Sequence, residues 1–176
     1  QSPYEQPYTH KRETYGMTEP DYHSQTHGTP APYRRQSGLA DVTEIIRRLR
    51  PGRIYVTSAR DTHPDHKAAN RFVLASIEAA GSLAHVYTYL IHGDRSGDWP
   101  WPRGLTPTSP FMARVLVDGA LSVGLPWPPP SRVPLAEYQV LRKLAAIWSH
   151  RSQMELSDEA SYLESFVKNE EVFWSQ

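Results

Sequence analysis

Cysteine is absent from the 176 residues. That excludes disulfides, thiolate metal sites and a cysteine nucleophile, so any metal must be held by His, Asp or Glu. Long apolar runs are missing as well: no stretch approaches the roughly 20 residues that a helix needs to span a bilayer, and no charged-then-apolar leader opens the chain. Net charge is the third absence. Nineteen basic residues balance nineteen acidic ones, which leaves no overall field to draw nucleic acid or an anionic membrane. The expectation is a soluble protein without nucleic acid among its partners, with the cytoplasm slightly favoured as its location and export left open.

What is present is ordinary globular composition, 39% hydrophobic and 22% charged, enough for one domain with a core. Residues 1–36 stand apart from it. They are rich in Pro, Tyr, Gln, Thr and His without apolar periodicity, and read as an extended arm whose Tyr4, Tyr8, Tyr15, Tyr22 and Tyr33 pin it to a folded body. His23 and His27 lie four apart and could share a metal on one helix face. Pro20, Gly28 and Pro30 argue against a helix there.

Residues 37–176 read as a single α/β body. Leu39, Val42, Ile45, Ile46 and Leu49 recur at helical spacing from a candidate N-cap at Ser37, and Pro51-Gly52 ends that helix. The arginines at 47, 48 and 50 read as a solvated face. A strand is expected at 53–58, then a polar turn, then a helix from near Lys67 with Phe72, Val73, Ser76 and Ile77 in its buried stripe and Gly81 as its stop. A second strand is expected at 85–92. Helix, strand, helix, strand with short connections predicts a parallel sheet. Residues 93–134 read as long loops with a short hairpin at 115–119, where Asp118-Gly119 is a turn dipeptide. A long helix follows from Leu135 with Leu135, Tyr138, Leu141, Leu144, Ala145 and Trp148 on its buried side, and a last helix covers 157–169.

Chemistry concentrates in the turn Asp61-Thr62-His63-Pro64-Asp65-His66. It follows a strand, where ligands gather in open α/β sheets. His66 begins a helix and can serve as a metal ligand, His63 can donate a proton to a reacting group, and Asp65 can accept from an imidazole and fix its tautomer. Asp61 can do similar supporting work. Alternatively Asp65 is only a helix cap and the histidines are solvated turn residues. Trp99, in Trp99-Pro100-Trp101-Pro102, either offers a stacking wall for a sugar or plugs its loop onto the core.

The segment 61–66 after a strand ending Tyr55-Val56-Thr57 resembles the second motif of the PIG-L or LmbE-like zinc-dependent N-deacetylases. Lys143, Ala146-Ile147 and His150-Arg151-Ser152-Gln153, followed by Phe166, Asn169-Glu170 and Phe173, resemble that family's C-terminal pattern. The resemblance implies a Rossmann-like three-layer fold around a parallel sheet and hydrolysis of an acetamide on an amino sugar or glycoconjugate. It implies zinc on His66, transition-state assistance by His63 and tuning by Asp65. Asp61, His92 and Trp99 are candidate substrate contacts.

The family's first motif, His-Pro-Asp-Asp on an earlier strand, supplies the remaining ligands and the base. Residues 1–36 do not contain it, and Glu19-Pro20-Asp21-Tyr22-His23 is only an echo. The expectation is the C-terminal portion of a deacetylase domain without its N-terminal strand and helix. Zinc is then expected only together with that motif, brought by a companion N-terminal fragment or a longer precursor, and a homo-oligomer is the other partnership to consider. The alternative is a noncatalytic relative that binds carbohydrate or protein.

Overall fold

Pro51 and Gly52 stop a helix and release the chain into its first strand, the junction expected from the sequence. The computed structural model describes residues 2–93, 97, 99–113, 119–155 and 157–176. Its elements in order are α1 (Tyr22–His27), α2 (Arg35–Leu49), β1 (Arg53–Thr57), α3 (Pro64–Ala80), β2 (His85–Tyr89), β3 (Ser131–Pro134), α4 (Glu137–Trp148), α5 (Arg151–Met154), α6 (Ser157–Glu164) and β4 (Glu170–Ser175). The expected hairpin at 115–119 lies, but for Gly119, outside the described residues.

The four strands form one open sheet in the order β1-β2-β4-β3. Its β1–β2 pair is parallel, as expected. The other two pairings are antiparallel, with Thr88 opposite Trp174 and Arg132 opposite Val172, so the sheet is mixed rather than wholly parallel. The difference comes from β3 and β4, which the hydrophobic pattern concealed. In β4, Glu170, Val172 and Trp174 are buried while Glu171 and Phe173 are half-buried; an inward glutamate and an outward phenylalanine blur the alternation that marks a strand. Glu170 is tolerated inside because Arg132 clamps both its carboxylate oxygens and the Phe111 amide donates to it at 2.8 Å.

By their contacts the residues divide into two units, Gln1–Ile54 with Ala69–Ala84, and Tyr55–Ala68 with His85–Gln176. In the first, α2 and the later part of α3 meet where Gly38 faces the Phe72 ring, and Arg47 reaches the Ala79 carbonyl at 2.6 Å. That arginine caps a helix C-terminus instead of lying free in solvent. The arm is also more ordered than expected. Thr14 and Ala31, and Arg12 and Tyr33, pair across it through backbone bonds of 2.8 and 2.7 Å. Ala31 is buried, whereas Tyr4, Tyr8 and Tyr15 are exposed.

The second unit packs Leu90, Trp99, Phe111, Leu121, Leu125, Val172 and Trp174 into one core. Helix α4 is rotated from its expected phase: Val140 is buried and Lys143, Leu144 and Ile147 are half-buried, while Tyr138, Leu141 and Trp148 are exposed. Lys143 explains the error. Its ammonium pairs with Glu171 at 2.6 Å, so its aliphatic stem lies along the inward face, where the sequence pattern places only apolar residues.

Lys168 is fully buried, donates to the Ser165 carbonyl and faces the Phe111 ring 5.6 Å away. Burial, with the nearby Lys143 charge adding to it, pushes its ammonium from 10.5 down to about 8. Between those values the folded chain binds fewer protons than the unfolded chain, so stability rises with pH across that window. A gap of that size corresponds to about 3 kcal/mol. Urea unfolding at pH 7 and at pH 10.5 is expected to show that rise in the parent, and a markedly flatter response in Lys168→Met, which is also the more stable of the two at pH 7.

Candidate metal centre

The turn 61–66 is built around one carboxylate. Asp61 is completely buried, and its two oxygens take backbone N–H groups from three residues: His63 at 2.8 Å, Ile91 at 3.0 Å and His92 at 2.9 Å. The turn is thereby fixed to the segment that leaves β2. Thr62 adds to the attachment, its amide donating to the His92 carbonyl at 3.1 Å and its hydroxyl to the Gly93 carbonyl at 2.9 Å. Burial by itself would raise the Asp61 carboxyl. The hydrogen bonds from the His92 and His63 amides, the His66 imidazole and the Ile91 amide outweigh it and hold the group below its ordinary value, so Asp61 is an anion at neutral pH.

Two imidazoles converge on that anion. His66 Nδ1 lies 3.1 Å from Asp61 Oδ2, His92 Nδ1 lies 3.4 Å from Asp61 Oδ1, and the two Nδ1 atoms are 3.3 Å apart. Helix α3 begins at Pro64, three residues before the expected start, because proline suits the first helical position and Asp65 suits the positive end of the helix. His66 therefore projects from a first turn that is anchored to β1 by the Thr57 hydroxyl on the His66 carbonyl at 2.8 Å. His92 is braced differently. Its ring stacks on Tyr162, with centroids 6.0 Å apart, and the Tyr162 hydroxyl donates to the Ile91 carbonyl.

These three groups fit a divalent metal. One ligand atom from each of Asp61, His66 and His92 lies within 4.8 Å of the others. Tetrahedral zinc with bonds of about 2.0–2.1 Å sets its ligand atoms about 3.3 Å apart, which is the spacing of the two Nδ1 atoms. The donor chemistry agrees: two imidazoles and a carboxylate, with the carboxylate held by backbone amides, form a recurrent zinc set. The His66 and His92 side chains are partly exposed, so an ion held there would be reachable from solvent.

His63 stands beside these side chains. Its ring is exposed, 5.1 Å from His66 and 5.2 Å from His92 between centroids. The Asp65 amide donates to His63 Nδ1 at 3.2 Å, which makes that nitrogen an acceptor and places the proton of the neutral ring on Nε2.

The candidate residues thus assume partly different parts from those expected. His66 stands among the possible ligands and His63 beside them. Asp65 is exposed and orients His63 through its backbone amide; the carboxylate that meets the imidazoles is Asp61. Asp61 and His92, expected as substrate contacts, are instead metal-competent donors alongside His66. Trp99 is 2% exposed, stacks on Phe111 and donates from its indole to the Leu90 carbonyl at 2.8 Å, so the ring packs its loop onto the core, the second of the two parts expected of it. Sequence reasoning overlooked His92 as a ligand because it lies 26 residues from His66; its position at the end of an apolar strand run was the available signal.

Comparison of the chain with protein-family models, with characterised proteins and with solved structures gives no match in any of the three.

Proposed function

We propose that this chain carries the zinc centre of an N-deacetylase, hydrolysing the acetamide of an amino sugar or glycoconjugate, and that its sheet belongs to a Rossmann-like three-layer domain. The convergence of Asp61, His66 and His92 donor atoms within 4.8 Å supports the zinc centre most strongly. The resemblance of segment 61–66 to the deacetylase motif supplies the reaction class.

Zinc bound there would lower the pKa of its water to about 7 and polarise the amide carbonyl. The chain supplies the remainder. Asp61 gives a fixed negative charge that favours the cation, and the three backbone amides on it keep both oxygens directed. His66 and His92 each hold a ring nitrogen in place from separate segments. His63, once protonated on both ring nitrogens, would pass its Nε2 proton to the departing amine nitrogen as the C–N bond breaks and be left neutral; the oxygen of the attacking water stays on the acyl carbon and its proton passes to solvent, so the products are acetate and the free amine.

The test strips the protein with a chelator, restores zinc, and measures retained metal together with amine release from a panel of N-acetylated hexosamines. The parent is expected to hold one zinc at this centre that His66→Ala loses, with affinity there at least about 100-fold weaker, and amine release should depend on that zinc. If His66→Ala binds zinc like the parent, the metal centre is wrong. Retained zinc with no amine released from any acetamide would instead favour a noncatalytic carbohydrate- or protein-binding relative.

A further inference from the structure

A second imidazole and carboxylate cluster lies in the arm, within the first unit. Helix α1 places His23 and His27 one turn apart, with ring centroids separated by 4.4 Å. Helix α2 presents Asp41 and Glu44, also one turn apart, to the same side. His23 Nδ1 meets Asp41 Oδ1 at 2.7 Å, and His27 Nε2 meets Glu44 Oε2 at 2.9 Å. One ligand atom from each of His23, His27 and Asp41 falls within 4.8 Å of the others.

Pro20, Gly28 and Pro30 argue against a helix here, and the structure forms a short one between Pro20 and Gly28. Asp21 accepts from the His23 and Ser24 amides and from the Ser24 hydroxyl, capping the start; Gly28, at φ 79°, ends the helix in the left-handed conformation. Pro20 and Pro30 both fall outside it. A helix of six residues has no stability of its own in water, so its register depends on what ties it to α2. Those ties are the two His–carboxylate pairs and the Tyr22 hydroxyl, which donates to Glu44 at 3.2 Å.

We propose that His23, His27 and Asp41 bind a divalent transition metal, zinc fitting best, as a structural clip that fastens the arm to α2. Two imidazoles and a carboxylate match the ligand preferences of zinc. Each histidine now shares a proton with a carboxylate, and the metal takes the place of those protons. Glu44 completes the set or orients His27 from outside it. His27 and Glu44 are about two-fifths exposed, so the ion has a path from solvent. The clip is independent of the centre at Asp61 and stands whether or not that centre is catalytic.

The experiment uses the full chain freed of metal, with His66→Ala and His92→Ala introduced to remove the other centre. Zinc is titrated by calorimetry, and cobalt by its visible absorption. One equivalent is expected, with tetrahedral cobalt bands, and bound zinc should slow proteolysis of the arm at least about 10-fold. Adding His23→Asn and His27→Gln should abolish binding and protection together. Asp41→Asn, which preserves shape, should weaken zinc about 100-fold and provides the reading if the double variant does not fold; Glu44→Gln should weaken it by about 10- to 100-fold. Zinc binding that is absent in the starting protein, or unchanged by Asp41→Asn, overturns the clip.

Discussion

Asp61→Ala is expected to destabilise the second unit by on the order of 3–5 kcal/mol and to eliminate zinc from the metal centre. The size follows from what the carboxylate holds. It is fully buried and takes the amides of His63, Ile91 and His92; alanine would strand three N–H groups, each costing about 1–3 kcal/mol when left unpaired, with some recovered as water enters. Asp61→Asn separates the two losses. Its amide oxygen still accepts, so the turn should survive with a smaller penalty, while the missing charge should still weaken zinc. Chemical denaturation of the metal-free proteins checks the first effect and a zinc titration checks the second. A fully stable Asp61→Ala would mean that the turn is held by something else.

Acid provides a second view of the same group. The Asp61 carboxyl is held below its ordinary value in the folded state, so the folded chain binds fewer protons than the unfolded chain as pH falls through the aspartate range. Its contribution is complete above the unfolded value, ordinarily 3.8, and is lost progressively as pH drops through the folded value. In Asp61→Asn that component of the acid transition should disappear.

His63→Ala is expected to lower kcat about 100-fold or more while leaving zinc content, KM and stability near those of the parent. The ring is exposed, and its only described hydrogen-bond roles are with its own turn, so truncation removes little beyond its ring contacts with His66 and His92. What it removes is the proton on Nε2 at the opening of the site. His63→Gln, whose amide can donate a hydrogen bond without transferring a proton, should recover only a minor part of the rate. If both variants turn over like the parent, the proton comes from another group and the role given to His63 is wrong; if zinc falls with the rate, His63 is a ligand.

Local chemistry was the most legible feature of the sequence. Pro51-Gly52, Gly81 and the stripe of Phe72, Val73, Ser76 and Ile77 place α2, β1 and α3 within a few residues, and short connections correctly announced one parallel pair. The elements that escaped were those whose buried positions are polar and paired at long range. Glu170 is inside β4 because of Arg132, 38 residues away, and Lys143 is on the inward face of α4 because of Glu171. No periodicity within a segment contains such partners. The centre divides in the same way: the six-residue turn was visible, yet the choice of Asp61 over Asp65 as the carboxylate that meets the imidazoles, and the presence of His92, follow from the adjacency of β1 and β2. Helix α1 was missed for the reverse reason, since residues that forbid a long helix are compatible with a short one capped at both ends. No helix among the described residues is long and apolar enough to cross a membrane, as the absence of apolar runs indicated.

The separation of His66 and His92 along the chain bears on when the proposed centre could take up an ion. A nascent or unfolded chain that exposes residues 61–66 offers a flexible turn with little advantage over any other His/Asp peptide. The strong donor set exists only after β1 and β2 have come together and the intervening loop has lost its closure entropy. At the proposed centre, zinc uptake would therefore be a late event that reports completed assembly, and an ion added during refolding should speed the arrival of the native state less than it slows its departure.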